Sequence, residues 1–156
     1  VVVTDNADLY EKLFYNLNTT GAVLSPFDSY QLIRGLKTLS LRMERSTANA
    51  QEIVAFLEQS PAVKEVLYTG RGGMISFKVA DEKRIPHILN TLKVFSFAES
   101  LGGVESLITY PTTQTHADIP AEVRHSYGLT DDLLRLSIGI EDARDLIEDL
   151  RQALEG

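Results

Sequence analysis

The sequence predicts an α+β fold, a small and mostly antiparallel sheet with helices on one face, preceded by a long bent helix. Apolar residues recur with helical spacing in four segments, strand-like runs lie between the later ones, and glycines or prolines mark the boundaries. Interspersed helices and short strands favour one sheet covered by helices. The 156 residues suffice for a core without disulfides, and the chain has no cysteine.

The first half of the chain predicts a strand and two helices. Val1–Asp5 is a β-branched run typical of a strand, and Asn6–Asn18 carries apolar residues on one helical face. The second helix begins with Ser25 as a candidate N-cap. Its apolar spacing continues through Leu57, so we expect one long helix with a bend near Ser40 or Ser46–Thr47.

The second half predicts four strands and two helices. Ile75, Phe77 and Val79 alternate with more polar residues, which is the period of a half-buried strand. One helix is expected from Asp81 to Leu92, with Pro86 in its first turn because proline cannot donate a hydrogen bond. The other is expected over "IEDARDLIEDLRQAL". The predicted strands are "EVLY", "GMISFKVA", "KVFSFA" and "LLRLSIG".

Composition and charge exclude several classes of protein. The net charge of −7 argues against a nucleic-acid binder, which needs clustered Lys and Arg. No apolar run approaches the roughly 20 residues of a membrane span, and the start lacks the positive flank of a signal peptide. We therefore expect a cytoplasmic protein without a membrane partner. No metal site is predicted, because His87, His116 and His125 lack the spacing of metal ligands.

Arg135 is the most informative charged residue. The six lysines lie on amphipathic segments or turns, where nothing would activate them for Schiff-base chemistry. Arg135 instead stands in a strand between Leu134 and Leu136, and a guanidinium is costly to bury unpaired. Two interpretations stay open: an internal ion pair with an Asp or Glu, or bidentate binding of a substrate carboxylate.

The stretch from Phe97 to His116, "FAESLGGVESLITYPTTQTH", is unusually polar for the middle of a compact domain. Its Gly102–Gly103 pair allows a sharp turn or a close approach to a ligand. The stretch is therefore a candidate wall of a binding site. The polar side chains that would face a shared cavity are Glu99, Ser100, Thr115 and His116.

Several segments together resemble the C-terminal part of the pyridoxal-phosphate (PLP) dependent trans-sulfuration enzymes. This group includes cystathionine γ-synthase, cystathionine β-lyase, cystathionine γ-lyase and methionine γ-lyase. The resemblance runs in register over nearly the whole chain. It is most specific in "ESLGGVESL", "THADIP" and "LRLSIGIED".

The resemblance implies the small C-terminal domain of a fold-type I PLP enzyme. Residues 1–25 would be a remnant of the large PLP domain and its linker, and residues 26–156 would form the small domain. The Schiff-base lysine and the residues that bind PLP in this family would lie upstream of Val1. We therefore expect no catalytic, cofactor-binding or metal-binding residue in this chain. The isolated chain should bind no PLP and be inactive.

Four residues are implied as the substrate-binding side of the site. Arg135 would bind the α-carboxylate of an amino acid, Ser100 would help to position the substrate, and Thr115 would lie at the pocket edge. Glu99 would line the distal pocket and favours γ-chemistry, whereas the short turn at Tyr68–Gly72 is typical of β-lyase-like members. The implied activity is C–S bond cleavage or formation in sulfur amino-acid metabolism, including methionine biosynthesis. Whether it is of the β-lyase or the γ-synthase type stays open.

The family also implies a homo-oligomer that acts on a small amino-acid substrate. The alternative interpretation is a non-catalytic, self-associating interaction module. In the absence of a partner domain, two helical faces would expose apolar surface, which drives self-association. These faces contain Leu9, Leu13 and Phe14 in one helix and Tyr30, Ile33 and Leu36 in the other.

Overall fold

The computed structural model describes residues 2–156, which form two compact units. The first unit ends at Leu39 and the second spans Ser40–Gly156. The division expected between residues 25 and 26 refers to the domains of a parent enzyme and stays a prediction. Within residues 2–156, no helix combines the length and the apolar character that a membrane span requires.

The first unit contains helices α1 (Ala7–Thr20) and α2 (Pro26–Leu36). The Asn6 side chain caps α1 by accepting a hydrogen bond from the Leu9 amide at 2.9 Å. The predicted N-cap of the second helix is confirmed, because Ser25 Oγ accepts from the Asp28 amide at 3.1 Å. Neither helix contains a buried residue.

Two predictions for this region are not met. The predicted strand at the start does not form over residues 2–5, and Val1 lies outside the described residues. The long bent helix is not confirmed, because α2 ends at Leu36 and α3 (Leu39–Leu57) begins after a short turn. Gly35 lies near the end of α2 and Thr38 lies in the turn, and both are weak helix formers. α3 then continues without interruption through Ser46–Thr47.

The second unit contains a five-stranded sheet in the order β1-β2-β5-β4-β3. Three neighbouring pairs are antiparallel, and only β3 and β4 are parallel. The prediction of an α+β fold with a mostly antiparallel sheet is therefore confirmed. The strands are β1 (Val63–Leu67), β2 (Met74–Val79), β3 (Ser96–Phe97), β4 (Leu107–Thr109) and β5 (Leu133–Ser137).

Helices cover one face of this sheet, as predicted. Ile75 and Phe77 of β2 and Leu134 and Leu136 of β5 point to this face and are fully buried. They pack in one core with α3, α4 (Ile85–Thr91) and α6 (Ala143–Glu155). Because side chains alternate along a strand, Arg135 lies on the opposite face, away from the helices.

The last helix shows why the sequence pattern predicted these elements well. α6 begins at the N-cap Asp142, whose side chain accepts from the Arg144 amide. Its apolar stripe is buried against the sheet. The helix predicted from Asp81 begins as a 3₁₀ turn and becomes α4, with Pro86 in the first turn as expected.

Three elements differ from the prediction. The strand expected over "KVFSFA" shrinks to Ser96–Phe97, because the amides of the three preceding residues donate to the Asp149 carboxylate instead of to a strand. Strand β4 lies inside the stretch from Phe97 to His116, the candidate wall of a binding site, for which no strand was predicted. A short helix, α5 (Ala121–Ser126), was not predicted because its six residues carry too weak a periodic pattern.

Candidate functional site

Arg135 is held in the middle of the sheet. Strand β5 places it opposite Ser76 of β2 on one side and Thr109 of β4 on the other. The residue is half-buried, whereas its strand neighbours Leu134 and Leu136 are fully buried on the helical face. The fold therefore presents a single guanidinium on the face of the sheet that no helix of this unit's core covers.

The hydrogen bonds of Arg135 are all to neutral acceptors. Nη2 donates to the Glu99 carbonyl oxygen and to Thr109 Oγ1, both at 3.1 Å. The Nε atom is buried and has no hydrogen-bond partner among the described residues. Two partners thus fix one end of the guanidinium and leave donors unused.

The charge of Arg135 is not compensated within residues 2–156. No salt bridge in this part of the chain includes Arg135. The internal ion pair, one of the two interpretations left open by the sequence, is therefore not found in the described structure. A half-buried guanidinium with unused donors is suited to bind a carboxylate.

The glycine-containing stretch next to Arg135 is anchored to the end of β5. Gly102 adopts a left-handed conformation, with φ at 75°, and its amide donates to Ser137 Oγ at 2.8 Å. Further along, Ser106 is fully buried, and its hydroxyl accepts from the Gly139 amide at 2.9 Å. The wall of the site is thus bonded to the strand that carries Arg135.

Glu141 stabilises the same wall. Its carboxylate accepts from the Ser106 amide at 2.6 Å and from the Ser106 hydroxyl at 2.9 Å. Its backbone carbonyl accepts from Arg45 and Asn49 of α3. Glu141 therefore links the glycine-containing stretch to a helix of the core.

The structure brings only part of the predicted site together. Glu99 contacts Arg135 through its backbone carbonyl, while Glu99 and Ser100 are both exposed. Thr115 is exposed, and its hydroxyl lies 2.7 Å from His116 Nδ1. Over the described chain, no hydrogen bond joins the side chain of Ser100 or Thr115 to Arg135.

The sequence analysis missed three residues that shape this region: Thr109, Ser137 and Glu141. Thr109 would have been found if "LIT" had been identified as a strand beside "LLRLSIG", because it then falls opposite Arg135. Ser137 follows the alternation of β5 and shares the face of Arg135. For Glu141 the sequence carries no comparable pattern.

The surroundings of the six lysines bear on the expectation that this chain does not anchor PLP. A Schiff-base lysine needs a desolvated or positively charged environment that lowers its pKa. Five of the six lysines are exposed, and the half-buried Lys78 pairs with Glu65 at 2.6 Å. The hydrogen bond from Lys78 to Glu65 raises the pKa of that lysine, which is the opposite of activation. Among residues 2–156, no group of three His, Asp or Glu side chains is placed to hold a metal ion.

Comparison with known proteins gives close relatives over the full chain. A cystathionine gamma-synthase/O-acetylhomoserine (thiol)-lyase of Bacillus subtilis (strain 168) is 56% identical over 154 residues, covering 99% of this chain and 41% of the relative. A cystathionine gamma-synthase of Haemophilus influenzae is 52% identical over 153 residues, covering 98% of this chain and 42% of the relative. A cystathionine gamma-lyase of B. subtilis is 49% identical over 171 residues, covering 99% and 45%. The chain thus spans less than half the length of these relatives.

Solved structures agree with these relatives. A cystathionine gamma-lyase of Micromonospora echinospora superposes with a TM-score of 0.91 at 36% identity, covering 99% of this chain and 45% of that one. A cystathionine gamma-synthase of Xanthomonas oryzae pv. oryzae, in complex with aminoacrylate and cysteine, gives 0.88 at 40% identity, covering 98% and 44%. The family model of the Cys/Met metabolism PLP-dependent enzymes matches residues 1–155. The chain therefore belongs to the Cys/Met metabolism PLP-dependent enzyme family, the trans-sulfuration enzymes that its sequence resembles.

Proposed function

We propose that this chain is the C-terminal, substrate-binding region of a PLP-dependent trans-sulfuration enzyme, and that Arg135 binds the α-carboxylate of its amino-acid substrate. The observation that supports this role is the half-buried Arg135 guanidinium, whose only acceptors within residues 2–156 are a carbonyl and a hydroxyl. The Glu99–Ser100 segment lies beside it, and its exposed side chains are available to the rest of a substrate.

The geometry of Arg135 explains how it would hold a carboxylate. Its Nη2 atom is fixed by two acceptors, so that Nη1, which makes no hydrogen bond within the described structure, is available to an anion. A bidentate guanidinium–carboxylate pair fixes both the position and the orientation of the ligand. The residues of this chain would thus bind and orient the substrate.

We further propose activity of the cystathionine γ-synthase type. The two γ-synthase relatives align over 154 and 153 residues, almost without insertions, whereas the γ-lyase of B. subtilis and a cystathionine beta-lyase of Lactococcus lactis both need 171. Because 171 exceeds the 156 residues of this chain, those lyases carry an insertion relative to it. The compact chain therefore favours the γ-synthase type over both kinds of lyase, in contrast to the β-lyase-like character expected from the short turn at Tyr68–Gly72. Glu99 favours γ-chemistry, and C–S bond formation in methionine biosynthesis is the corresponding role. We place this enzyme in the cytoplasm, as a homo-oligomer.

The role of Arg135 is tested in the longer enzyme that contains this chain. We expect Arg135→Ala to raise KM for the amino-acid substrate at least about 30-fold, because a charged hydrogen-bonded pair is lost. Steady-state kinetics measure the effect. Arg144→Ala, which removes the same charge from an exposed position on α6, serves as the control. An unchanged KM in Arg135→Ala would contradict the proposal.

One observation favours a second candidate, the self-associating module. Within the first unit, large apolar side chains of both helices are exposed, including Phe14, which stacks on Tyr10 with ring centroids 6.1 Å apart. Such surface drives association. Light scattering of the isolated chain tests this candidate, which requires a defined oligomer, and a monomer would exclude it.

A further inference from the structure

We infer that Thr109 is a positioning residue for Arg135, an inference that rests on the proposed carboxylate-binding role of that arginine. Thr109 ends strand β4 and lies opposite Arg135 in the antiparallel pairing with β5. It is 1% exposed, so that water does not compete for its hydroxyl. Its Oγ1 atom lies 3.1 Å from Arg135 Nη2.

The hydroxyl of Thr109 has a fixed direction. A hydroxyl carries one proton, and Thr109 donates that proton to the Ala98 carbonyl oxygen at 2.7 Å. Its lone pairs are therefore left for the guanidinium, and Thr109 acts only as an acceptor towards Arg135. The Ala98 amide in turn donates to the Ile108 carbonyl at 3.0 Å, which holds this acceptor in place.

The two acceptors of Nη2 define the orientation of the guanidinium. Glu99 O and Thr109 Oγ1 can take both Nη2 protons, which restricts rotation of the long side chain before substrate arrives. An arginine that is already ordered loses less conformational entropy when it binds a carboxylate. Thr109 would therefore act on substrate binding through Arg135, without contacting the substrate.

Only one of the two strands beside Arg135 supplies a hydroxyl that binds its guanidinium, and the other strand therefore provides an internal control. Ser76 occupies the equivalent position on the other neighbour of Arg135, strand β2, and also carries a hydroxyl. Within the described structure, no hydrogen bond joins Ser76 to the guanidinium. Removing the hydroxyl of Thr109 or that of Ser76 thus separates the loss of a hydrogen bond to Arg135 from the loss of a nearby hydroxyl.

The test compares Thr109→Val, Thr109→Ser, Ser76→Ala and Arg135→Ala in the longer enzyme, loaded with its cofactor. Valine keeps the shape of threonine but removes the hydroxyl, and with it both the acceptor for Arg135 and the donor to the Ala98 carbonyl. We expect Thr109→Val to raise KM about tenfold with kcat changed less than about twofold, the pattern of lost binding rather than lost chemistry. Thr109→Ser should restore the wild-type KM, and Ser76→Ala should leave both constants unchanged.

A second readout separates positioning from a general structural role. Inhibition by an unreactive amino acid is compared with inhibition by its α-carboxamide, which lacks the carboxylate charge. We expect Thr109→Val to raise the inhibition constant of the amino acid about tenfold and to leave the inhibition constant of the carboxamide unchanged.

Each outcome decides between the two proposals. If Arg135→Ala raises KM and Thr109→Val does not, the inference about Thr109 is overturned while the role of Arg135 stands. An equal loss of amino-acid and carboxamide binding in Thr109→Val also overturns the inference. If neither Arg135→Ala nor Thr109→Val changes KM, the proposed role of Arg135 is contradicted, and the inference about Thr109, which depends on that role, is contradicted with it.

Discussion

At the residue scale, Asp132 is a buried polar group with fixed partners, and it shows how such an arrangement responds to pH. This carboxylate is 7% exposed, pairs with Lys64 and accepts from the Thr130 hydroxyl. Burial by itself raises the pKa of Asp132, but the hydrogen bonds from Lys64 and Thr130 outweigh it, so the pKa is lowered below 3.8. The folded state therefore binds this proton less readily than the unfolded chain does.

The lowered pKa predicts a specific loss of stability in acid. Because the folded pKa of Asp132 lies below the unfolded one, its contribution is fully present above pH 3.8 and disappears as the pH falls through the folded value. We expect Asp132→Asn to be less stable than wild type at neutral pH and to show a smaller further loss on acidification. Urea unfolding at a series of pH values measures this. Lys64→Met should also flatten the acid dependence, and parallel curves for wild type and Asp132→Asn would contradict the assignment.

Arg135 was predicted from the sequence as a site residue, whereas its surroundings and the role of Thr109 were not. Arg135 could be singled out because a charge between buried leucines demands an explanation. Its lack of an ion-pair partner within the described chain is a tertiary fact, which no local pattern contains. Thr109 was missed because a three-residue strand is too short to show a period.

At the scale of elements, long periodic segments were predicted well, and short ones were not. α6 and β2 carry patterns over many residues and form as expected. The segment "KVFSFA" has the composition of a strand, yet Asp149, far along the chain, accepts hydrogen bonds from the amides of Lys93, Val94 and Phe95. A carboxylate far along the chain thus accepts the hydrogen bonds that a neighbouring strand would otherwise accept, and the composition of the segment does not predict this.

The close approach of two elements at Gly139 predicts a severe effect of a small substitution. A Cβ atom at Gly139 would overlap the Val104 carbonyl oxygen, a backbone atom that cannot move aside independently. We expect Gly139→Ala to destabilise the chain by at least about 2 kcal/mol, because the wall must shift away from β5. Denaturant unfolding gives the free energy.

A matched control for this substitution lies in α2. A Cβ at Gly35 meets no atom within 4 Å, and alanine is a better helix former than glycine. We therefore expect Gly35→Ala to stabilise its helix by up to about 1 kcal/mol. If the two glycine variants had equal stability, packing at Gly139 would not be the cause.

At the scale of the whole molecule, the sequence resemblance identified the family, and physical patterns identified the fold class. Neither could reveal that the chain forms two compact units divided between Leu39 and Ser40. The periodicity of the expected long helix also runs across the turn at Lys37–Thr38, so a pattern that is continuous in sequence belongs to two separate helices. Helical spacing reports local structure and is insensitive to a two-residue turn.

The environments of the lysines predict how the isolated chain responds to PLP. All six are exposed or ion-paired, so we expect the absorbance of free cofactor when the chain and PLP are mixed. After borohydride reduction, intact mass should show no stoichiometric gain. A stable adduct at one site would contradict the proposal that the isolated chain lacks a cofactor anchor. The longer enzyme treated in the same way is the positive control.

The carboxylate of Asp149 also makes it possible to observe the separation of α6 from the loop at Lys93–Phe95. Three consecutive amides, from Lys93 to Phe95, are protected by this one side chain of α6 instead of by a neighbouring strand. Deuterium uptake at these amides therefore reports when α6 separates from the loop, whereas uptake in β2 and β5 reports opening of the sheet. A peptide that contains Lys93–Phe95 thus reports the separation of α6 from this loop independently of the opening of the sheet.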